Sequence, residues 1–213
     1  MTSELLNATD SPLDARPRYA LVVRLPRQAE ARIADAYLWL PGITRPSMGY
    51  HITLLGPLLL SEGVGPEAFE AARAVCARWG AFGVQIAGLG AFENDGVNTI
   101  YLGVVECDRI VPLHRALYEA LDDRIDFASA QYRLWNESAY TPHVTLSLGL
   151  DERALMDLLA TNQRRAVVVD VEVTSVWLVM QGPAGAWQFL AEYTLGEEPG
   201  AFALHSAPAA GPR

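Results

Sequence analysis

Apolar and polar positions alternate along this chain in two distinct rhythms. Tyr19 to Leu25 (YALVVRL) is apolar and β-branched, which predicts a strand. From Pro26 to about Leu40 the apolar positions Ala29, Ile33, Ala36, Tyr37 and Leu40 recur at helical spacing, and Pro41-Gly42 ends the run. A strand over 50–55 follows. A helix begins at Pro66, with Phe69, Ala72, Val75, Cys76 and Trp79 along one stripe. Phe82 to Phe92 reads as strand, Asn94-Asp95-Gly96 as a turn, and Val97 to Cys107 as strand again. Residues 111–121 form a helix with Leu113, Ala116, Leu117, Ala120 and Leu121 inward, which leaves His114 at the surface. Residues 123–140 read as an irregular, aromatic-rich connection. A strand over 141–148, a helix capped by Asp151 and running to about Thr161, one long strand over 166–180, and a strand over 187–195 complete the order.

The element order is strand, helix, strand, helix, strand, given twice, with a closing strand. The two copies span about 19–93 and 97–195. Such an order predicts an α+β fold with two pseudo-symmetric lobes of mainly antiparallel sheet and flanking helices, a single bilobal domain over 18–196. Residues 1–17 and 197–213 read as flexible tails, the second rich in Gly, Pro and Ala.

Composition narrows the function classes. The chain has 213 residues with a formal net charge of −9, and all 16 basic residues are Arg. An acidic chain is poorly suited to gripping long nucleic acid through its backbone. A small anion remains within reach of one local cluster of donors. No apolar run is long enough to span a membrane, and the N-terminus lacks the pattern of a signal peptide. Cys76 and Cys107 read as buried thiols, and the chain as cytoplasmic.

The chemistry concentrates in two strands. His51-Ile52-Thr53-Leu54 and His143-Val144-Thr145-Leu146 stand at equivalent points of the two copies. With the four His and ten Thr of this chain, about 0.2 His-x-Thr matches are expected by chance. Strand alternation places His51, Thr53 and Leu55 on one face, with Ile52 and Leu54 on the other. It likewise separates His143, Thr145 and Ser147 from Val144, Leu146 and Leu148. Each strand therefore offers one apolar face and one face carrying an imidazole beside a hydroxyl. Histidine is the side chain able to act as acid or base near neutrality. Each motif supplies only one metal ligand and no third stands nearby, so neither metal nor cofactor is expected.

The two motifs, about ninety residues apart and set in Tyr50-HITLLGP-Leu58 and Thr141-Pro142-HVTL, resemble the two-histidine phosphoesterase superfamily. The resemblance covers roughly residues 18–196 and is nearest to the 2′–5′ RNA ligase-like and cyclic phosphodiesterase branches. It implies a cleft between two lobes and metal-independent hydrolysis of 2′,3′-cyclic or related phosphodiesters. His51 and His143 would be the acid/base pair, with Thr53 and Thr145 binding phosphate. The substrate would be a small nucleotide phosphodiester or an RNA end, with no obligate protein partner. The sequence departs from the ligase-like pattern in two places. Leu55-Gly56-Pro57 follows the first motif, and Ser147-Leu148-Gly149, with no basic residue, follows the second. Further contacts could come from Arg45, from Tyr50 and Tyr140 flanking the motifs, and from Arg133 and Trp135 in the 123–140 segment. Each of these has an alternative as a packed aromatic or a solvated arginine. Gly56-Pro57 and Gly90 read as turn or bulge residues. His205 has no assigned role.

Overall fold

The computed structural model describes residues 16–40, 42–94, 97–150, 153, 155, 156, 158, 160, 166–182 and 185–197. The strands are β1 (Arg18–Arg24), β2 (His51–Leu60), β3 (Phe82–Asn94), β4 (Val97–Val104), β5 (Ile125–Phe127), β6 (His143–Leu150), β7 (Val169–Val173), β8 (Ser175–Gln181) and β9 (Trp187–Thr194). The helices are α1 (Arg27–Tyr37), α2 (Glu70–Ala77), α3 (Ile110–Leu121) and α4 (Ala130–Ser138). Every strand pairing is antiparallel. The order is β7-β3-β4-β6-β2-β1-β8-β9, with β5 paired to the far end of β2. The fold is α+β, as the pattern predicts.

The sheet is curled, and its connectivity shows why. β7 ends at Val173 and β8 begins at Ser175, yet β7 lies at one end of the order and β8 near the other. One residue, Thr174, joins them, and its carbonyl accepts the Leu195 N–H. The single strand expected over 166–180 is thus two strands in different arms of the sheet. The arms meet where β2 pairs with β6 at Ile52 and Val144. Each arm mixes strands from both stretches 19–93 and 97–195, so the arms are not the sequence copies.

One large core fills one side of the sheet. It includes Leu21, Ile33, Ile52, Leu54, Ile86, Ile100, Leu102, Leu113, Leu117, Val144 and Leu178. α3 packs on it through Ile110, Leu113, His114, Leu117 and Leu121, a clean helical stripe. The helix begins at Ile110, one residue before the 111–121 reading, and its stripe takes in position 114. His114 is therefore buried, at 5% exposure, rather than at the surface.

The 123–140 segment is ordered rather than irregular. β5 extends the edge of β2, and α4 starts at Ser129, whose Oγ accepts the Tyr132 N–H. Gly56 and Pro57 lie inside β2, not in a turn but at a bulge, where the register against β1 slips between Leu55 and Leu58. Gly90 lies within β3, where any side chain would collide with the Tyr101 ring. The bulge in β3 falls at Gly88 (φ +75°) instead. Cys76 is buried and Cys107 half-buried, both as free thiols. In the 151–161 stretch the described residues are helical, with Leu155 and Leu158 buried. The Asp151 cap, the turn at 95–96, and most of both tails lie outside the described residues. No helix among the described residues is long and apolar enough to cross a membrane.

Candidate active site

The Ile52–Val144 pair decides the geometry of the site. Residues paired across an antiparallel ladder point to the same face, and their neighbours point to the opposite one. Ile52 and Val144 are both fully buried in the core. His51, Thr53, His143 and Thr145 therefore all emerge together on the face opposite that core. The antiparallel sense sets His51 across from Thr145, and Thr53 across from His143. Two motifs far apart in sequence become one four-residue cluster at the centre of the sheet.

The rings are held in the same way in both strands. His51 Nδ1 lies 2.9 Å from the Gly49 carbonyl, and His143 Nδ1 lies 2.7 Å from the Thr141 carbonyl. A carbonyl only accepts, so each Nδ1 carries a proton and donates it. Nε2 of each ring is thereby left for chemistry. Burial lowers both histidine pKa values from the ordinary range, and the backbone carbonyls oppose that shift.

Both strands also break their alternation at the same point. Val22 pairs with Thr53 but Leu21 with Leu55, so Leu54 is the extra residue of a bulge. Tyr101 pairs with Thr145 but Ile100 with Ser147, so Leu146 is the extra residue there. The faces read by strict alternation hold only up to each Thr. Beyond it, Leu55 and Ser147 turn inward, Ser147 Oγ donates to the Gly42 carbonyl at 2.7 Å, and Leu148 is 48% exposed. The bulges confine the polar face of each strand to its His and Thr.

Around this symmetric pair the surroundings differ. Glu30 of α1 is buried behind His51. Its Oε1 accepts the Tyr50 N–H at 3.1 Å and its Oε2 pairs with Arg45. Gly49 (φ +76°) passes so close to Glu30 that no side chain would fit. The Glu30 charge raises the His51 pKa against the effect of burial. His143 instead stands among rings: Phe92 at 5.1 Å, Tyr101 at 5.2 Å and Trp135 at 5.9 Å between centroids. The nearby His51 charge lowers the His143 pKa further.

The residues singled out beside the motifs divide clearly. Trp135 meets the His143 ring edge-on. Arg45 is bound to Glu30 with its side chain 57% exposed. Tyr50 is fully buried in the core, where no substrate reaches it. Tyr140 is a framework residue: its hydroxyl donates to the Thr53 carbonyl at 3.0 Å, and its ring stacks on His114 at 3.7 Å. Arg133 is engaged with Glu137 and rests over Phe127. His114 braces the same framework, with its ring nitrogens 2.6 Å from the Leu54 carbonyl and 2.9 Å from the Asn136 carbonyl. Buried Asn136 in turn accepts from the Gly56 N–H and donates to the Tyr132 carbonyl.

Sequence reasoning missed Glu30, Phe92 and Tyr101. Glu30 had a readable signal, for it falls three residues before Ile33 and seven before Tyr37, inside the apolar stripe of α1. Phe92 and Tyr101 had none, since strand pairing alone brings them to His143. Among the described residues no group of three or more His, Cys, Asp or Glu is arranged to hold a metal ion.

The sequence matches the 2′–5′ RNA ligase superfamily over residues 26–183. The chain belongs to that superfamily. Solved structures share its fold. E. coli LigT in its apo form superposes with a TM-score of 0.59 at 17% identity, covering 86% of this chain and 100% of LigT. TT0787 of Thermus thermophilus gives 0.59 at 19% identity, covering 85% of this chain and 100% of TT0787. A crystal structure described as a phosphoesterase gives 0.55 at 20% identity, with 85% and 99% covered. LigT has also been solved with NADP+, 3′-AMP, ATP and phosphate. A search of curated proteins finds no match. Membership of this superfamily supports a phosphoesterase-type function.

Proposed function

We propose that this chain hydrolyses a small cyclic or 2′–5′-linked nucleotide phosphodiester without a metal ion, using His51 and His143 as a paired acid and base. The observation that carries the reading is the Ile52–Val144 pairing, which brings both imidazoles and both threonine hydroxyls to one face. Water attacks phosphorus as one histidine Nε2 takes its proton. The bond from phosphorus to the ribose oxygen breaks as the other Nε2 protonates that oxygen. Thr53 and Thr145 donate to the non-bridging oxygens, where negative charge grows.

The unlike surroundings favour one division of roles. The Glu30 carboxylate favours the protonated form of His51, and His51 in turn disfavours the protonated form of His143. His51 is the acid and His143 the base in the hydrolytic direction.

The test is a turnover screen in EDTA with the wild type, His51→Ala and His143→Ala. The substrates are 2′,3′-cyclic nucleotides, ADP-ribose cyclic phosphate, 2′–5′ oligoadenylates, 3′,5′-linked cyclic oligonucleotides and RNA ending in a cyclic phosphate. Turnover that survives EDTA and falls at least ~100-fold in each variant is expected. Turnover that needs metal, or that persists in both variants, refutes the mechanism. Preference for the RNA end over every small compound would move the assignment to RNA end processing.

A further inference from the structure

A cavity of about 440 Å³ opens beside the first motif, lined by Arg24, Arg27, Glu30, Ala31, Ala34 and Arg45. Three arginines converge there in a chain where acidic residues outnumber basic ones 25 to 16. The one carboxylate in the lining, Glu30, is buried and already engaged by Arg45 and the Tyr50 N–H. Arg24 and Arg27 have no carboxylate partner among the described residues. Arg24 is held in place by its ring contact, with its guanidinium carbon 5.0 Å from the Phe189 centroid. All three arginines are exposed, so their mutual repulsion is modest, and an anion entering among them meets two cations that no carboxylate already holds. Planar guanidinium forks match phosphate oxygens bidentately, as they match carboxylates.

Position ties the cavity to the histidines. Arg24 is the ladder partner of His51 across β1 and β2. Paired Cα atoms lie about 4.5–5.5 Å apart, so the cavity begins one side chain from the reacting centre. We propose that the Arg24–Arg27–Arg45 cavity is a subsite for a second phosphate group on the substrate, separate from the diester cleaved between His51 and His143. The proposal rests on the phosphodiesterase reading above and narrows its substrate class. The preferred compound is a nucleotide that carries a further phosphomonoester beyond the scissile linkage, such as one on its 5′ carbon.

Two measurements on the full chain test it. The first is calorimetric titration of inorganic pyrophosphate into His51→Ala/His143→Ala, where the scissile site is disabled, with and without Arg24→Gln/Arg27→Gln. Binding that weakens at least ~10-fold when the arginines are replaced is expected. The second compares kcat/KM for a nucleoside 2′,3′-cyclic phosphate with and without a 5′-phosphate. The phosphorylated compound is expected to lead by at least ~10-fold, mainly through KM, and the lead to collapse in Arg24→Gln/Arg27→Gln. Equal kcat/KM for the two compounds in the wild type overturns the proposal, as does pyrophosphate binding that ignores the arginines. Absence of turnover on both compounds, with arginine-dependent pyrophosphate binding intact, removes the hydrolase reading while leaving the anion cavity in place. Should the glutamine variant melt well below the wild type, Arg24→Lys/Arg27→Lys keeps the charge but loses the fork. A lead that survives undiminished in it overturns the guanidinium assignment.

Discussion

The two His-x-Thr strands are built alike and dressed differently. Each has a histidine whose Nδ1 donates to a carbonyl two residues back, a threonine beside it, and a bulge at the following leucine. Behind His51 stands a buried carboxylate, whereas around His143 stand three aromatic rings. Shared backbone geometry makes either ring capable of proton transfer. Under the proposed mechanism the unlike surroundings favour the proton on His51 over His143. A duplicated motif can thus supply an acid and a base from the same residue type, through neighbours that the motif does not include.

The largest expected effect separates the two roles. A nitrophenyl ester of a nucleotide has a leaving group that departs without a proton, whereas a ribose oxygen needs one. His143→Ala should lose at least ~100-fold on both kinds of diester. His51→Ala should lose as much on the ribose diester and roughly tenfold or less on the nitrophenyl ester. Steady-state kcat/KM values on the two substrates check it. The reverse pattern would exchange the assignments, and equal losses in both variants would abolish the distinction.

The contrast between the strands was only partly legible in the sequence. The paired motifs and their common face followed from strand period, because Ile52 and Val144 are apolar beside His and Thr. The α+β class followed from the alternation of helical and strand spacing. What escaped depends on contacts remote in sequence. Strict alternation could not show the bulges at Leu54 and Leu146, since both flanking positions in each strand are acceptable on either face. In the 166–180 stretch the apolar alternation passes from odd positions (Val169, Val171, Val173) to even ones (Val176, Leu178) across Thr174-Ser175, a change of phase that a single-strand reading passes over. His114 shares a face with Ile110, Leu117 and Leu121, but a polar residue between Leu113 and Arg115 reads as a surface position. The rings around His143 come from β3, β4 and α4, which the fold alone brings together.

Glu30 offers the next way to break the comparison. Glu30→Ala leaves the buried Tyr50 N–H without an acceptor, at a cost of about 1–3 kcal/mol read by denaturant unfolding. Glu30→Gln keeps an acceptor oxygen there and removes the charge. The carboxylate raises the His51 pKa, so its loss lowers that pKa. If His51 is the acid, the high-pH limb of the kcat/KM profile then moves to lower pH, while the low-pH limb moves little. A low-pH limb that moves instead would assign Glu30's influence to the base.

Trp135 gives the complementary change, with a smaller effect. Its ring helps to bury His143, and burial is the leading cause of that histidine's lowered pKa. Trp135→Ala lets water reach the ring, so the His143 pKa rises and the low-pH limb moves to higher pH. Glu30→Gln and Trp135→Ala together should narrow the bell from both sides. An unchanged low-pH limb in Trp135→Ala would show that Phe92 and Tyr101 alone set the environment of His143.

The smallest effect lies in stability, where the comparison extends to His114. Burial lowers the pKa of His51, His114 and His143 in the folded chain, while in the unfolded chain each titrates near 6.5. Below that value the unfolded chain binds more protons than the folded one, so stability falls as the pH drops toward the folded-state values. Carboxylates titrate lower still, which leaves the interval from about pH 7.5 to 5.5 to the histidines. The unfolding free energy should decline across that interval, and His51→Ala/His143→Ala should decline less steeply. The slope that remains belongs to His114, whose ring is held between the Leu54 and Asn136 carbonyls and takes no part in the chemistry. Those two carbonyls favour a charged ring, and burial opposes it. A double variant with no residual slope would mean that the carbonyls balance burial, leaving His114 equally easy to protonate in the folded and unfolded chains.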